Sequence, residues 1–288
     1  MKKSKLVKVL TVSLAALMVF GLASCGGGSG KVSDKDITVI SREEGSGTRD
    51  AFTELTGVLQ DDVDKTVDTA EISNSTSVVT QSVAGNDAAI GYISLGSLDD
   101  TVKAVKVDGV EATVDNIKSG DYKIQRPFNI VTKGEVKELP ADFIKFIMSK
   151  DGQKIIEDEG YISVNDNAEA YKASGLKGSI TLAGSTSVSP VMEVLADKYK
   201  ELNSGVTIEI QQTGSGAGIQ STTEGVCDIG MASRELKDEE TSQGLKSEEI
   251  ALDGIAVIMN KDNGVEDLSM DQIMKIFTGE ITSWADVK

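Results

Sequence analysis

Ile180-Thr-Leu-Ala-Gly-Ser-Thr-Ser-Val-Ser-Pro-Val-Met192 passes from a strand-like apolar run, through a Gly/Ser/Thr knot, into a helix whose first turn holds Pro190. The same figure occurs twice more. Ile37-Thr-Val-Ile-Ser41 leads into Arg42-Glu-Glu-Gly-Ser-Gly-Thr48, and Val206-Thr-Ile-Glu-Ile210 leads into Thr213-Gly-Ser-Gly-Ala-Gly218. A helix start offers unpaired backbone N–H groups and the positive end of the helix dipole. Glycine lets an anion approach the backbone, and Ser/Thr hydroxyls add donors that carry no charge. Singly, each knot reads as a helix cap with turn glycines. Together, with Arg42 just ahead of the first, they read as a cage for a small oxyanion.

Working outward, strand-like and helix-like segments alternate almost throughout, which predicts an α/β architecture. Helices are expected at 49–56, 76–84, 141–148, 153–159, 190–202, 217–223 and 270–277, those at 141–148 and 153–159 being amphipathic through Phe143, Ile144, Ile147 and Ile155. Strands are expected at 88–95, 102–107, 127–132, 228–232 and 255–260. Tyr161–Gly178 is polar and rich in Ala, Asn and Lys, and reads as a connecting segment.

The N-terminus predicts the compartment. Lys2, Lys3, Lys5 and Lys8 precede an apolar stretch from Val9 to Ala23, short for a membrane span and basic on its leading flank, as in a secretory signal. It ends in Leu22-Ala-Ser-Cys25, which resembles a lipobox and implies acylation of Cys25. An ordinary signal peptide or a single anchor helix is the plainer alternative. Residues 1–24 are therefore expected to be a lipoprotein leader and residues 25–35, with Gly26-Gly-Gly-Ser-Gly30, a flexible tether. Without the leader and its four lysines, 264 residues remain and the net charge deepens from −17 to −21. Such acidity argues against nucleic acid or anionic lipid as a surface partner, and requires any anion site to work by short-range, preorganised donors.

Histidine is absent, which excludes Ser-His-Asp and Cys-His catalysis and the usual zinc sites. Asp/Glu-based metal sites remain open, but no spaced Asp/Asn/Gly calcium loop occurs, and no metal or cofactor is expected. With Cys25 lipidated, Cys227 has no partner, and its apolar run Val226-Cys-Asp-Ile-Gly-Met231 suits a buried hydrophobe. Gly214-Ser-Gly-Ala-Gly218 lacks the Lys-Ser/Thr pair of a P-loop, and Ile219 stands where the dinucleotide fingerprint needs its last glycine. Neither Ser46 nor Ser215 has the flanks of a nucleophile elbow.

Ala183–Met192, Gly214–Gly218, Asp228-Ile-Gly-Met-Ala-Ser-Arg-Glu-Leu236, Leu252-Asp-Gly-Ile-Ala-Val257, Ile276-Phe-Thr-Gly279, Ser41–Arg49 and Ala89-Ile-Gly-Tyr-Ile-Ser-Leu95 together resemble the phosphate-binding proteins of phosphate ABC transporters, the PstS family. The resemblance covers nearly the whole chain after the leader. It implies a type II periplasmic-binding-protein fold, two α/β lobes with the ligand in the cleft, and no enzyme activity. Lobe one is expected at 120–262 and lobe two at 36–119 plus 263–288.

The order departs from the family, in which the Gly-Ser-Thr-Ser motif opens the mature chain and Ile-Thr-Ser-Trp-Ala-Asp-Val287 leads directly into the strand before Arg42. The family's usual C-terminal piece, Gly160-Tyr-Ile-Ser-Val164, is here joined through linker 165–178 to its usual first strand. That pattern resembles a circular permutation, which preserves contacts when the old termini lie close. A fragment of a tandem protein and a segment-exchanging protomer are the alternatives.

Residue by residue, the resemblance implies phosphate contacts at Thr186 and Ser187, at Ser215 and Gly216, at Ser233 and Arg234, and at Arg42, Ser46, Gly47 and Thr48, with Arg42 supplying a forked charge-assisted contact. Some family members carry an Asp where Arg234 stands, which accepts the proton of monohydrogen phosphate. Arg234 cannot accept, so Asp253 and Glu44 are the candidate acceptors, with an ordinary solvated or salt-bridged carboxylate as the alternative. An acceptor of this kind would leave sulfate with a repulsive, unpaired contact. The implied role is an extracytoplasmic, lipid-anchored receptor that hands phosphate to ABC permease subunits. The rivals are a receptor for sulfate, molybdate or tungstate, a phosphate-ester hydrolase, and a structural lipoprotein whose knots are only caps.

Overall fold

One strand, Leu245–Asn260, is long enough to serve two hydrophobic cores, and the rest of the molecule is arranged on either side of it. The computed structural model describes residues 32–287 (for Ser33, the backbone only). The expected leader, the acylation of Cys25 and residues 25–31 of the tether lie outside these. From Val32 the chain is already folded: Val32–Asp34 forms a 3₁₀ turn, Val32 packs on the core, and Lys35 pairs with Asp87. The expected tether to residue 35 is shorter at its end for that reason.

The elements run β1 (Thr38–Arg42), α1 (Gly47–Thr56), β2 (Leu59–Gln60), β3 (Val63–Asp64), β4 (Glu71–Ser73), α2 (Thr76–Gly85), β5 (Ala89–Ser94), β6 (Val102–Ala104), β7 (Lys106–Val107) and α3 (Val114–Lys118). They continue as β8 (Gln125–Lys133), α4 (Glu138–Ile147), α5 (Lys150–Asp158), β9 (Ile162–Ser163), β10 (Gly178–Gly184), α6 (Ser189–Leu202), β11 (Val206–Gln212) and α7 (Ser215–Glu224). The last are β12 (Ile229–Ala232), α8 (Asp238–Thr241), β13 (Leu245–Asn260), β14 (Asp267–Leu268) and α9 (Met270–Phe277). Helix starts follow the local chemistry. Ser46, Ser75, Ser149 and Ser269 each accept an N–H from the first turn of α1, α2, α5 and α9. Left-handed Gly57 and Gly225 close α1 and α7.

The main sheet is mixed, in the order β11-β10-β12-β8-β13-β5-β1-β4, with β6 and β9 also pairing β13. Neighbours are parallel in β11-β10-β12 and in β5-β1-β4, and antiparallel at β12-β8, β8-β13 and β13-β5. The N-terminal half of β13 pairs β8 through Asp253↔Arg126 and Gly254↔Gln125, and its C-terminal half pairs β5 from Ile255↔Ser94 onward. A side chain at Gly254 would press on the end of the Ile117 side chain, which would have to move aside.

Two principal apolar clusters result. One gathers Phe52, Tyr92, Tyr122, Ile124, Ile255, Val257, Phe277 and Trp284, and the other Phe128, Phe143, Phe146, Leu182, Leu195, Tyr199 and Met231. Along β8 with the residue before it, and along β13, the first cluster reaches Ile124 and Ile255 and the second holds Phe128 and Ala251, so these two runs of chain pass through both. The sequence shows β13 only from Ile255, because its first half, Leu245-Lys-Ser-Glu-Glu249, is mostly exposed and charged. The 102–107 strand is broken into β6 and β7. The polar segment 161–178 is no free linker: the Tyr171 ring packs on Phe146 and Tyr199, its hydroxyl donates to Asp142, and Asn165 donates to the Met148 carbonyl.

Candidate functional site

In doubly wound sheets, ligands sit at the carboxyl ends of parallel strands, and five such ends converge here: β1 at Arg42, β4 at Ser73, β10 at Gly184, β11 at Gln212 and β12 at Ala232. Each continues into a Ser/Thr turn. At Gly184, φ is +143° and a Cβ would lie 2.2 Å from the Met231 carbonyl oxygen, so only glycine fits. Its own carbonyl accepts the N–H groups of Thr213 and Gly214, binding two knots together. Ser185 Oγ accepts the N–H groups of Ser187 and Val188 at 3.2 and 3.3 Å, which forms the turn ahead of α6.

The knots meet as a buried group of hydroxyls around one guanidinium. Arg42 is 2% exposed. Its Nη2 donates to Thr186 Oγ1 at 3.0 Å, Nη1 to Thr76 Oγ1 at 3.4 Å and Nε to the Ser73 carbonyl at 3.3 Å. Thr48 and Ser187 hydroxyls lie 2.8 Å apart, and Thr76 lies 3.2 Å from Ser187 and 3.3 Å from Thr186. Ser185 and Ser215 reach Ser233 Oγ at 3.0 and 3.3 Å. Gly47 fits against the last pair, since a Cβ there would lie 2.5 Å from Ser215 Oγ and 2.8 Å from Ser233 Oγ. The Gly216 N–H donates to the Gly45 carbonyl at 2.9 Å, a backbone bond between the first and third knots. Behind Arg42, the Tyr92 hydroxyl meets Ser41 Oγ and the Arg42 N–H, and its ring stacks on Phe52 at 3.9 Å; burial pushes the Tyr92 hydroxyl pKa up to about 12.

Most of the expected residues thus come together: Arg42, Gly47, Thr48, Thr186, Ser187, Ser215, Gly216 and Ser233, with Ser46 buried next to Gly47 and its hydroxyl capping α1. Two do not. Arg234 is buried, but its Nε points to Asp50 Oδ2 at 2.8 Å and its Nη1 and Nη2 fork onto Glu240 at 2.8 Å each, so its donors face carboxylates. Glu44 is exposed on the turn. The carboxylate at Arg42 is its other neighbour, Glu43, whose two oxygens accept Nε and Nη2 at 2.8 Å each. Glu43 also borders the third knot, 3.3 Å from where a Gly214 Cβ would stand. Neighbouring acidic residues in a turn differ only in direction, which the sequence alone does not set.

Asp253 lies under the group. It is 1% exposed, accepts Arg126 Nε and Nη2 at 3.2 and 3.1 Å and Ser94 Oγ at 2.9 Å, while Arg126 Nη1 donates to the Ser233 carbonyl at 3.3 Å. Burial pushes its pKa up to about 6, with Arg126 and Ser94 pulling the other way. Thr76 and Ser185 were not among the expected contacts. Asn74-Ser-Thr-Ser77 is a fourth Ser/Thr corner, but β4 ahead of it is only three residues long and gives no strand-like run. Among the described residues, no group of three or more Cys, Asp or Glu is placed to hold a metal ion. Cys227 is buried with its Sγ 3.4 Å from Thr222 Oγ1, and burial pushes its thiol pKa up.

The family model described as a PBP superfamily domain matches residues 29–151 and 169–288. The chain is 52% identical over 294 aligned residues to Phosphate-binding protein PstS 2 of Streptococcus agalactiae, covering 100% of this chain and 99% of that one. The chain belongs to the PstS family. A second PstS 2, from Streptococcus pneumoniae, is 47% identical over 99% of this chain and all of its own. The crystal structure of a phosphate ABC transporter phosphate-binding protein from S. pneumoniae is 48% identical, superposes with a TM-score of 0.72, and matches 88% of this chain and 100% of that one. This PstS chain therefore has the periplasmic-binding-protein α/β fold, and its order of segments is shared end to end with those PstS 2 relatives. Of the stretches that carried the resemblance, 41–49, 183–192, 214–218 and 228–236 supply hydroxyls to the buried group, and Thr76 joins them from outside those stretches.

Proposed function

We infer that this chain is an extracytoplasmic receptor that captures inorganic phosphate and delivers it to an ABC transporter. The observation that carries this reading is the buried group in which Arg42, Thr48 and Thr76 from one core meet Thr186, Ser187, Ser215 and Ser233 from the other. Hydroxyls that now bond one another can rotate to donate to phosphate oxygens, and a single guanidinium supplies the charge-assisted bonds. The reading contains no bond-breaking step, so the chain acts as a carrier and not as a hydrolase.

The two cores are read as lobes, about 36–124 plus 254–287 and about 125–253, which part to admit the anion and close over it. Glu43 takes the role first given to Glu44. Its carboxylate beside Arg42 suits an anion that still carries a proton near neutral pH, and disfavours sulfate. Cys25 is the proposed acylation site that holds the receptor at the outer face of the membrane. The segment order is read as a permutation of the order found elsewhere in the family, with 165–178 as the joining piece.

Titration calorimetry on residues 25–288 with phosphate and with sulfate tests the receptor. Tight binding of phosphate and at least tenfold weaker binding of sulfate is expected. Equal affinity for the two, or none for phosphate, overturns it.

A further inference from the structure

Arg234 follows Ser233 directly, yet its guanidinium turns away from the hydroxyl group to a second, separate contact between the cores. Three of its bonds stay on its own side: the fork onto Glu240 and Nη1 to the Glu235 carbonyl at 2.7 Å. The flanking Leu236 packs on the small cluster of Val131, Ile219, Ala232 and Leu245. The fourth bond, Nε to Asp50 Oδ2 at 2.8 Å, crosses to α1, whose Ala51 and Phe52 are buried in the opposite core. Glu240 thus aims Arg234 whatever the position of α1, and Asp50 is the partner that arrives or leaves.

We propose that the Asp50–Arg234 ion pair is a closure latch that sets how long the cleft stays shut over its anion, with neither side chain touching that anion. The proposal rests on the receptor reading above. Its geometry is that of a lever: Asp50 occupies the first turn of α1, the helix whose start presents Ser46, Gly47 and Thr48. Bringing that start against Ser187, Ser215 and Ser233 also brings Asp50 onto Arg234. Lys237 Nζ lies 4.0 Å from the same Asp50 oxygen, so a second cation reinforces the attraction. The pair lines a cavity of about 410 Å³ with Leu55, Leu59 and Lys237, and Asp50 stays 29% exposed. Dissolved ions therefore reach it, and screening by salt weakens it more than it weakens the buried hydroxyl bonds.

A latch of this kind slows opening and leaves capture unchanged. Stopped-flow measurement of phosphate association and dissociation on residues 25–288 tests it, with Asp50→Asn and Asp50→Glu beside the wild type. Asp50→Asn is expected to raise the dissociation rate roughly three- to tenfold with the association rate unchanged, and Asp50→Glu to recover most of the loss. Raising salt from 20 to 500 mM should speed wild-type dissociation and affect Asp50→Asn little. An unaltered dissociation rate in Asp50→Asn overturns the latch, as does complete loss of binding in a variant with wild-type circular dichroism, which would make Asp50 a ligand residue. Should that variant not fold, a wild-type dissociation rate insensitive to salt overturns it instead. A wild type that binds no phosphate overturns the receptor reading and the latch with it.

Discussion

The hydroxyls of Thr48 and Ser187, 139 residues apart in the chain, lie 2.8 Å from each other, one from each side of the buried group. Either oxygen can donate, so the contact is a neutral bond that each partner can exchange for a bond to a third group. The other Ser and Thr hydroxyls that meet around Arg42 share this property.

Removing either hydroxyl should weaken phosphate binding by one neutral hydrogen bond, about 1 kcal/mol or roughly fivefold in affinity. Because Thr48 and Ser187 share their contact, the Thr48→Val/Ser187→Ala double variant should lose less than the sum of the single losses. Calorimetric titration of the four proteins measures this, and strict additivity would contradict a shared contact.

Gly47→Ala should separate stability from binding. Alanine is favoured over glycine in a helix by up to about 1 kcal/mol, so the melting temperature should hold or rise. Yet the new Cβ would stand 2.5 Å from Ser215 Oγ and 2.8 Å from Ser233 Oγ, so both hydroxyls would have to turn out of the buried group. Phosphate affinity is expected to fall at least a hundredfold, about 2.7 kcal/mol. Retained affinity would show that the two sides need not touch.

Asp253 shapes the pH dependence of stability. Its pKa of about 6 in the fold exceeds its ordinary 3.8, so between those values the folded chain holds a proton that the unfolded chain releases. Stability from this group therefore declines as pH rises from about 4 to about 6. Asp64, Asp142, Asp228 and Glu240 behave oppositely. Burial opposes them, but bonds from Thr66, Tyr171, Lys137 and Arg234 hold them below the usual carboxylate range, and their contribution is lost as pH falls. The melting temperature should peak at roughly pH 5 and fall on both sides, the decline toward pH 6 vanishing in Asp253→Asn. A melting temperature that climbs steadily from pH 4 to 7 would be inconsistent with this.

Tyr171→Ala should loosen the joining segment without touching the site. The ring lies 5.2 Å from Phe146 and 5.9 Å from Tyr199, and its hydroxyl is held between Asp142 and Asn203. A loss of roughly 1–3 kcal/mol in urea unfolding is expected, with phosphate affinity unchanged. Unchanged stability would mean that the segment is held elsewhere.

Much of this was legible because the informative features are local. Ser46 caps α1 and Pro190 opens α6 through contacts within a few residues, and α9 spans Met270–Phe277 as its periodicity predicts. What escaped depends on direction and distance. Glu43 and Glu44 are equivalent as letters, and only the turn decides which faces Arg42. Arg234 reads as an anion ligand until Asp50 and Glu240, 184 and 6 residues away, are seen to occupy it. Thr76 follows a strand too short to carry a pattern. The first half of β13 is hidden because it borders solvent.

That strand has a mechanical consequence. At the line between the cores, β8 and β13 are hydrogen-bonded neighbours with Arg126 opposite Asp253, and the passage is a two-stranded ribbon, not a pair of loops. A ribbon of this kind bends by distributing small torsions over many residues, and it springs back. The opening proposed above would bend this ribbon without unravelling a segment, so the pairing of Arg126 with Asp253 and of Gln125 with Gly254 is expected to persist through it.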